Sequence, residues 1–197
     1  MLNASLGFGR VQVRIDDEGS RKLWREAHSF GELCGLGERF LRGEICVFPG
    51  WNAPDLDVES DEIAMVLVRL SRAGFLTCAS QPARADQRAF VSGFVAEASA
   101  RRLRRVTTQI VVRCFGLSGD EPHVDTTLAE PVSGKEGRFH AFAGHDARND
   151  ELACFEDEIG SGAFVELQRA IYVTAFDPEW GRRDRLWSEL TRALELE

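Results

Sequence analysis

The sequence predicts an α/β or α+β fold: a single domain whose mixed β-sheet of about four to six strands carries helices packed on its faces. Three observations carry this expectation. Two segments, residues 29–43 and 60–74, place apolar side chains at helical spacing between recognisable start and stop residues. Runs rich in β-branched and aromatic residues at 75–80, 88–95, 110–115 and 164–176 have strand character. Helical and strand segments intermix without strict alternation, and 44% hydrophobic with 28% charged residues is the composition of an ordinary globular chain.

Taken in order, "VQVRI" (11–15) alternates and reads as a short strand, flanked by the polar "DDEGS". Ser29 followed by Glu32 makes a capping box, Leu33, Leu36, Phe40 and Leu41 recur at helical spacing, and Gly43 ends that helix. Gly35 and Gly37 inside it cost about 1 kcal/mol each relative to alanine, so they are expected where another element comes close. The stretch from Glu44 to Ser60 reads as an ordered loop around Trp51. A helix from Ser60 stops at Gly74 and is followed by a strand over 75–80, which pairs as a hairpin with 88–95 through a turn containing Pro82 and Asp86. A helix over "EASARRLRRVTTQ" and a buried strand over 110–115 complete a strand–helix–strand crossover. The polar stretch from Gly116 to Lys135 reads as a long loop. After it come a strand over 137–144, a helix over "DARNDELACFEDEIG", a β-rich run over 164–176 and a last amphipathic helix showing Leu186, Trp187, Leu190 and Leu194.

A length of 197 residues suits one core, residues 1–195, with Leu196 and Glu197 read as the start of a vector-encoded tag. The 24 basic and 32 acidic side chains leave a net charge of −8, which repels nucleic acid and anionic membranes, so neither is an expected partner. With no apolar run long enough to span a bilayer and no secretory leader, the expected location is the cytoplasm. Cys34, Cys46, Cys78, Cys114 and Cys154 are odd in number and scattered, which predicts reduced thiols rather than a disulfide framework. No cofactor and no metal site is expected. "DLDVESDE" lacks the glycine of a calcium loop, and "DEPHVD" offers one strong nitrogen ligand. The four arginines of "RRLRR" (101–105) read as a solvated face.

Three segments form a pattern: "WREAHSFGELCGLGERFLRGEI", "AGFLTCASQPARADQRAFVSGFV" and "VTAFDPEWGRRDRLWSEL". Together they resemble domain of unknown function 6919, an uncharacterised family of actinobacteria. The resemblance spans roughly residues 24–191. It carries over Ser80, Gln81, Pro82, Gln87, Arg88, Gly93 and Phe94, and Asp177 through Arg182, as positions without roles. Ala83 stands where the pattern carries a glycine after the proline, which argues against a tight phosphate-binding loop.

Cys78 lies two residues before Ser80, and on a regular strand both side chains point to one face near its carboxyl end, where ligands gather in open sheets. As a nucleophile Cys78 needs a base. Of the four histidines, His28, His123, His140 and His145, the best placed is His145 with Asp146, opening a helix. That trio implies a small cysteine-dependent hydrolase or acyl-transfer enzyme; against it, a cysteine in a strand is more often a buried small hydrophobe. Ser80, Gln81, Gln87 and Arg88 on the hairpin rim either offer directed donors to a ligand or brace the hairpin backbone. In "DPEWGRRD" either Trp180 or Trp51 stacks on a planar ligand while Arg182 neutralises its charge, or the segment is a strand-to-helix corner. The preferred reading is a small-ligand-binding or accessory protein with a polar pocket between the "SQP" hairpin and the "DPEWGR" corner. The alternatives are the cysteine enzyme and a protein-interaction module or inhibitor with an acidic surface. The expected partner is a small molecule or a protein.

Overall fold

Helices cover both faces of a four-stranded sheet in the computed structural model, which describes residues 14–51, 58–116, 129–135 and 138–195. The strands are β1 (Phe75–Gln81), β2 (Phe90–Val95), β3 (Val111–Phe115) and, after a separate two-stranded sheet of β4 (Glu130–Lys135) and β5 (Arg138–Ala143), β6 (Ile171–Phe176). Their order is β1-β2-β6-β3, with every neighbouring pair antiparallel. β2 and β3 therefore run the same way with β6 between them, and the helix linking them, α4 (Glu97–Val106), makes the expected crossover in split form. β1 and β3 are the two edges.

Side-chain alternation along these strands feeds two cores. On one face Phe75, Val91, Val95, Ile171, Val173 and Ala175 meet helices α3 (Ala64–Arg72), α4 and α7 (Arg185–Glu195) through Leu67, Leu70, Leu103, Leu186 and Leu190. On the other, Leu76, Phe94, Phe115 and Tyr172 meet α1 (Asp17–Arg25), α2 (Phe30–Leu41), α5 (Arg148–Phe155) and α6 (Ser161–Arg169). Aromatic rings dominate this second core: Phe155 meets Trp24, Phe48 and Phe94 edge-on at 6.4, 5.8 and 6.5 Å. Each such pair adds about 0.5–1.5 kcal/mol beyond area burial.

Local signals explain most helix ends. Ser29 Oγ accepts from the Glu32 amide at 3.2 Å, and Glu32 Oε2 reaches back to accept from the His28 amide at 2.7 Å. Gly43 and Gly74 follow their helices with positive φ of 69° and 83°. Gly37 is a close approach, since a Cβ there would lie 3.3 Å from Leu76 Cδ1; Gly35 is not, because nothing lies within 4 Å of one.

Several expectations need correction. Of the 11–15 strand only residues 14 and 15 lie within the described residues, and Ile15 forms a single parallel bridge to Ile45. The "DDEGS" flank starts helix α1, capped by Asp16, whose Oδ1 accepts from the Gly19 amide at 2.8 Å. α1 is anchored by buried Trp24, whose indole N–H donates to the Val47 carbonyl at 2.8 Å. The helix expected from Ser60 begins as a 3₁₀ segment, Val58–Ile63. β3 is a half-buried edge, with only Phe115 buried, rather than a buried strand. Residues 130–135, expected in a loop, form β4; its Pro131 and Gly134 sit at irregularities in the ladder, where neither spoils the pairing. The β-rich run 164–176 divides: residues 161–169 are helical and only 171–176 are strand. Burial of Ala163 and Leu167 at helical spacing overrides the strand propensity of Phe164 and Val165. No helix among the described residues is long and apolar enough to cross a membrane.

Candidate functional site

The edge strand β1 is irregular where chemistry was expected. Thr77 pairs with Gly93 and Ala79 with Ser92, so Cys78 is the extra residue of a β-bulge. The bulge overturns the expectation that Cys78 and Ser80 share a face. Ser80 pairs with Val91, which feeds the core under α3, α4 and α7, while Cys78 packs against the opposite core.

Beside this edge lies a cleft of about 230 Å³. Its floor is consecutive residues of β1 and its continuation: Thr77, Cys78, Ala79, Ser80, Gln81 and Pro82. Gly37, Phe40 and Leu41 of α2, with Phe48 and Trp51, and Ser60 with Leu67 and Ser71 of α3 enclose it; the two helices meet there, a Cβ on Gly37 lying 3.9 Å from both Phe48 Cε2 and Ser71 Oγ. Phe90 and Ala141 close the end near Gln81. None of the described residues lining it is charged. Thr77 Oγ1 is buried and has no hydrogen-bond partner among the described residues. Trp51, 42% exposed, is held by its amide donating to the Phe48 carbonyl at 3.0 Å. Gly50 lets that turn press on α5, since a Cβ there would sit 2.5 Å from Cys154 Cβ.

Cys78 is not paired with the expected base. The carboxyl beside its thiol is Glu151 of α5, with Cys154 and Cys34 also near. Burial, reinforced by the Glu151 charge, pushes the Cys78 thiol well above the ordinary cysteine value, so it stays protonated at neutral pH. Burial likewise raises the Glu151 carboxyl, although the Cys78 thiol hydrogen-bonded to it pulls the other way. His145 is exposed, and Asp146, one residue before the α5 N-cap Ala147, accepts from the Arg148 amide at 3.0 Å. The groups acting on the thiol are Glu151, Cys154 and Cys34 rather than His145 or Asp146. The sequence did carry a signal for Glu151: it precedes Cys154 and Phe155 by three and four residues, on the helix face that packs inward.

Of the hairpin-rim side chains Gln81 bonds backbone, whereas the buried Gln87 Oε1 bonds no backbone group among the described residues. Gln81 Nε2 donates to the carbonyls of Arg88 at 2.9 Å and Val132 at 3.0 Å, tying the end of β1 to β4. The Gln87 amide and carbonyl close a turn with Arg84, and its carbonyl also accepts from the Gly181 amide at 3.1 Å. Arg88 lies over the Trp180 ring at 4.9 Å and reaches Glu130 at 3.4 Å, while Arg113 grips the same carboxylate at 2.8 Å. Ser80 lines the cleft.

The "DPEWGR" corner adjoins the hairpin loop without entering the cleft. Its Asp177 is fully buried, gripped by Arg182 through two contacts of 2.7 Å, and its amide donates to the Ala89 carbonyl at 2.9 Å. Arg182 also bonds Glu179 and the Gln109 carbonyl. Trp180, 38% exposed, stacks on Phe139 with ring centroids 6.4 Å apart. Hairpin and corner brace one another at Gln87 and Asp177, and a hollow of about 280 Å³ is lined by Pro82 and Ala83 of the hairpin loop with Arg183 and Asp184 at the corner; the cleft beside β1 shares only Pro82 with it among the described residues. Among the candidates, Trp51, Cys78, Ser80 and Gln81 meet at the cleft; Gln87, Arg88, Trp180 and Arg182 are gathered at the corner; His145 and Asp146 do not line the cleft.

The "DEPHVD" segment and the start of "DLDVESDE" lie outside the described residues. Among the described residues no group of three or more His, Cys, Asp or Glu is arranged to hold a metal ion. In "RRLRR", Arg101 pairs with Glu97 at 2.7 Å and Arg102 donates to the Leu194 carbonyl at 3.4 Å.

The family model described as Domain of unknown function (DUF6919) matches residues 19–197. The chain belongs to this family. No curated protein matches it. The DUF6919 positions named from the sequence have structural reasons here: Gln81 and Asp177 anchor backbone, and Gly93 admits β1, because a Cβ there would lie 2.0 Å from the Leu76 carbonyl oxygen. Sequence reasoning missed Phe40, Phe48, Ser71, Thr77 and Phe90, the walls of the cleft, which carry no local motif.

Proposed function

We propose that this DUF6919 chain is a cytoplasmic binding protein that takes an uncharged, largely apolar ligand group in the cleft beside β1. The observation that carries this reading is the cleft itself: aromatic and aliphatic walls, a few hydroxyls, and no charge among its described lining residues. A carboxylate or phosphate would meet no countercharge there, and desolvating it uncompensated would be costly. Its volume of about 230 Å³ is below the roughly 300–1,000 Å³ of drug-sized sites, so the group enclosed is small. All five cysteines are free, which suits a reducing compartment. Protonated Cys78 beside a carboxyl supports a binder over a cysteine-dependent enzyme.

The test is a fragment titration followed by amide chemical shifts. Indole and cyclohexanol are the neutral probes and benzoate is the charged control. The neutral probes are expected to move the amides of residues 77–81, and Ala141→Trp, which fills the cleft from β5, is expected to abolish the effect. Preferential binding of benzoate, or shifts confined to residues outside the cleft, overturns the reading.

A further inference from the structure

We infer that the natural occupant of the cleft is an extended, uncharged peptide segment that adds to the sheet as a strand alongside β1. This rests on the binding reading above and names its ligand class. Side chains alternate along a strand, so a hollow on one face of a sheet is lined by every second residue. Here every residue from Thr77 to Pro82 lines the cleft. The cleft therefore follows the side of the strand, where its main-chain N–H and C=O groups point, rather than either face.

That side is free: among the described residues β1 has a sheet neighbour only in β2. An edge strand offers a ladder of donors and acceptors that an extended peptide satisfies repeatedly and a compact small molecule satisfies once or twice. Of the devices that blunt sheet edges, this one has the bulge at Cys78 and Pro82 at its end but no charge over residues 75–82. The bulge at Cys78 limits regular pairing to the stretch beyond it, Ala79 to Gln81, which matches a short partner segment. The lining offers the side chains of such a guest apolar contacts in Phe40, Phe48 and Leu67 and a hydroxyl in Ser71. The uncharged lining selects guest residues without Asp, Glu, Lys or Arg at the enclosed positions.

The test uses a displayed library of seven-residue peptides lacking those four residues, selected against the full chain, with the recovered sequences synthesised as end-capped peptides. Recovered peptides are expected to protect from hydrogen exchange those amides of residues 79–81 that point away from β2. N-methylating alternate backbone amides, which keeps every side chain but removes donors, is expected to weaken binding at least tenfold. Ala79→Lys, a charge placed on the edge, is expected to weaken it at least tenfold as well; if that variant melts early, Ala141→Trp takes its place. No recovered peptide at this edge, or equal affinity after N-methylation at every register, overturns the peptide inference. If indole still binds the cleft in that case, the broader binding reading survives; if neither binds, both fall.

Discussion

Gly93→Ala is expected to be among the most damaging single-methyl changes in the protein. Gly93 lies in β2 between Thr77 of β1 and Val173 of β6. A Cβ built there would lie 2.0 Å from the Leu76 carbonyl oxygen and 2.8 Å from Phe75 Cε1, where ordinary contact begins at 3.4 Å. The ring can turn, but the oxygen belongs to the paired strand, so relief requires β1 to part from β2 beside the bulge. Overpacking costs about 1–3 kcal/mol, and a main-chain obstruction belongs at the upper end. At about 2–4 °C per kcal/mol for a chain of this size, a loss near 3 kcal/mol lowers the melting temperature by about 6–12 °C. Gly35→Ala is the control of opposite sign. It lies on an exposed face of α2 with nothing within 4 Å of a built Cβ, and gains about 0.5–1 kcal/mol of helix propensity. Circular-dichroism melts of the two variants and the parent read the difference directly. A Gly93→Ala protein melting within about 2 °C of the parent would refute the claim that β1 and β2 are locked at this point.

Three further outcomes follow from the same contacts. Iodoacetamide at pH 7 is expected to modify Cys78 more slowly in the folded chain than after denaturation, because burial and Glu151 hold the proton on sulfur; mass mapping that finds rapid modification there revives the nucleophile. Burial pushes the Cys34 thiol from 9.0 up to about 12. The unfolded chain therefore releases that proton first, and the Cys34 contribution is intact below pH 9 and declines as pH rises toward 12, by up to about 1.4 kcal/mol per pH unit. Urea midpoints measured across that window are expected to fall less steeply in Cys34→Ala. Phe155→Ala removes the ring that joins Trp24, Phe48 and Phe94 and is expected to cost about 3–5 kcal/mol; a urea-derived loss under about 1 kcal/mol would mean the second core does not depend on it.

The fold was legible where local chemistry and tertiary demand agree. Ser29 with Glu32, Gly43 and Gly74 declare their helix ends, and the β1–β2 hairpin and the crossover through α4 follow from periodicity and turn residues. It was illegible where tertiary contacts decide. Nothing local says that Phe164 and Val165 belong to a helix; what settles them is Ala163 and Leu167 buried against α2 and Gly160 pressed to the Ala27 carbonyl, where a Cβ would lie 2.0 Å from the oxygen. The site was misjudged for a related reason. A one-residue bulge at Cys78 reverses the facing of Ser80, and a period-two argument is blind to a bulge.

Of the residues most distinctive in the sequence, Gln81, Asp177 and Arg182 use their side chains to satisfy backbone groups, while Arg88 reaches Trp180 and Glu130. The loop between β1 and β2, the strand β4 and the corner after β6 meet with main-chain groups facing one another: Arg88 N–H to Val132, Gly134 N–H to Asp86, Gly181 N–H to Gln87, Asp177 N–H to Ala89. Gln81 then supplies donors, and the Arg182–Asp177 pair fixes the corner. Such a junction needs particular polar residues at particular places, so it leaves a sharp trace in the sequence. The proposed binding cleft needs only apolar bulk and a strand edge, which Phe40, Phe48, Leu67 and β1, paired among the described residues with β2 alone, provide in unremarkable residues. Conspicuous polar residues and the proposed cleft therefore overlap only in part: Ser80 and Gln81 line it, whereas Gln87, Arg88, Asp177 and Arg182 do not. Replacing Gln81 is expected to loosen the junction with β4 and melt the protein earlier, whereas replacing Ala79 is expected to change binding with the fold intact.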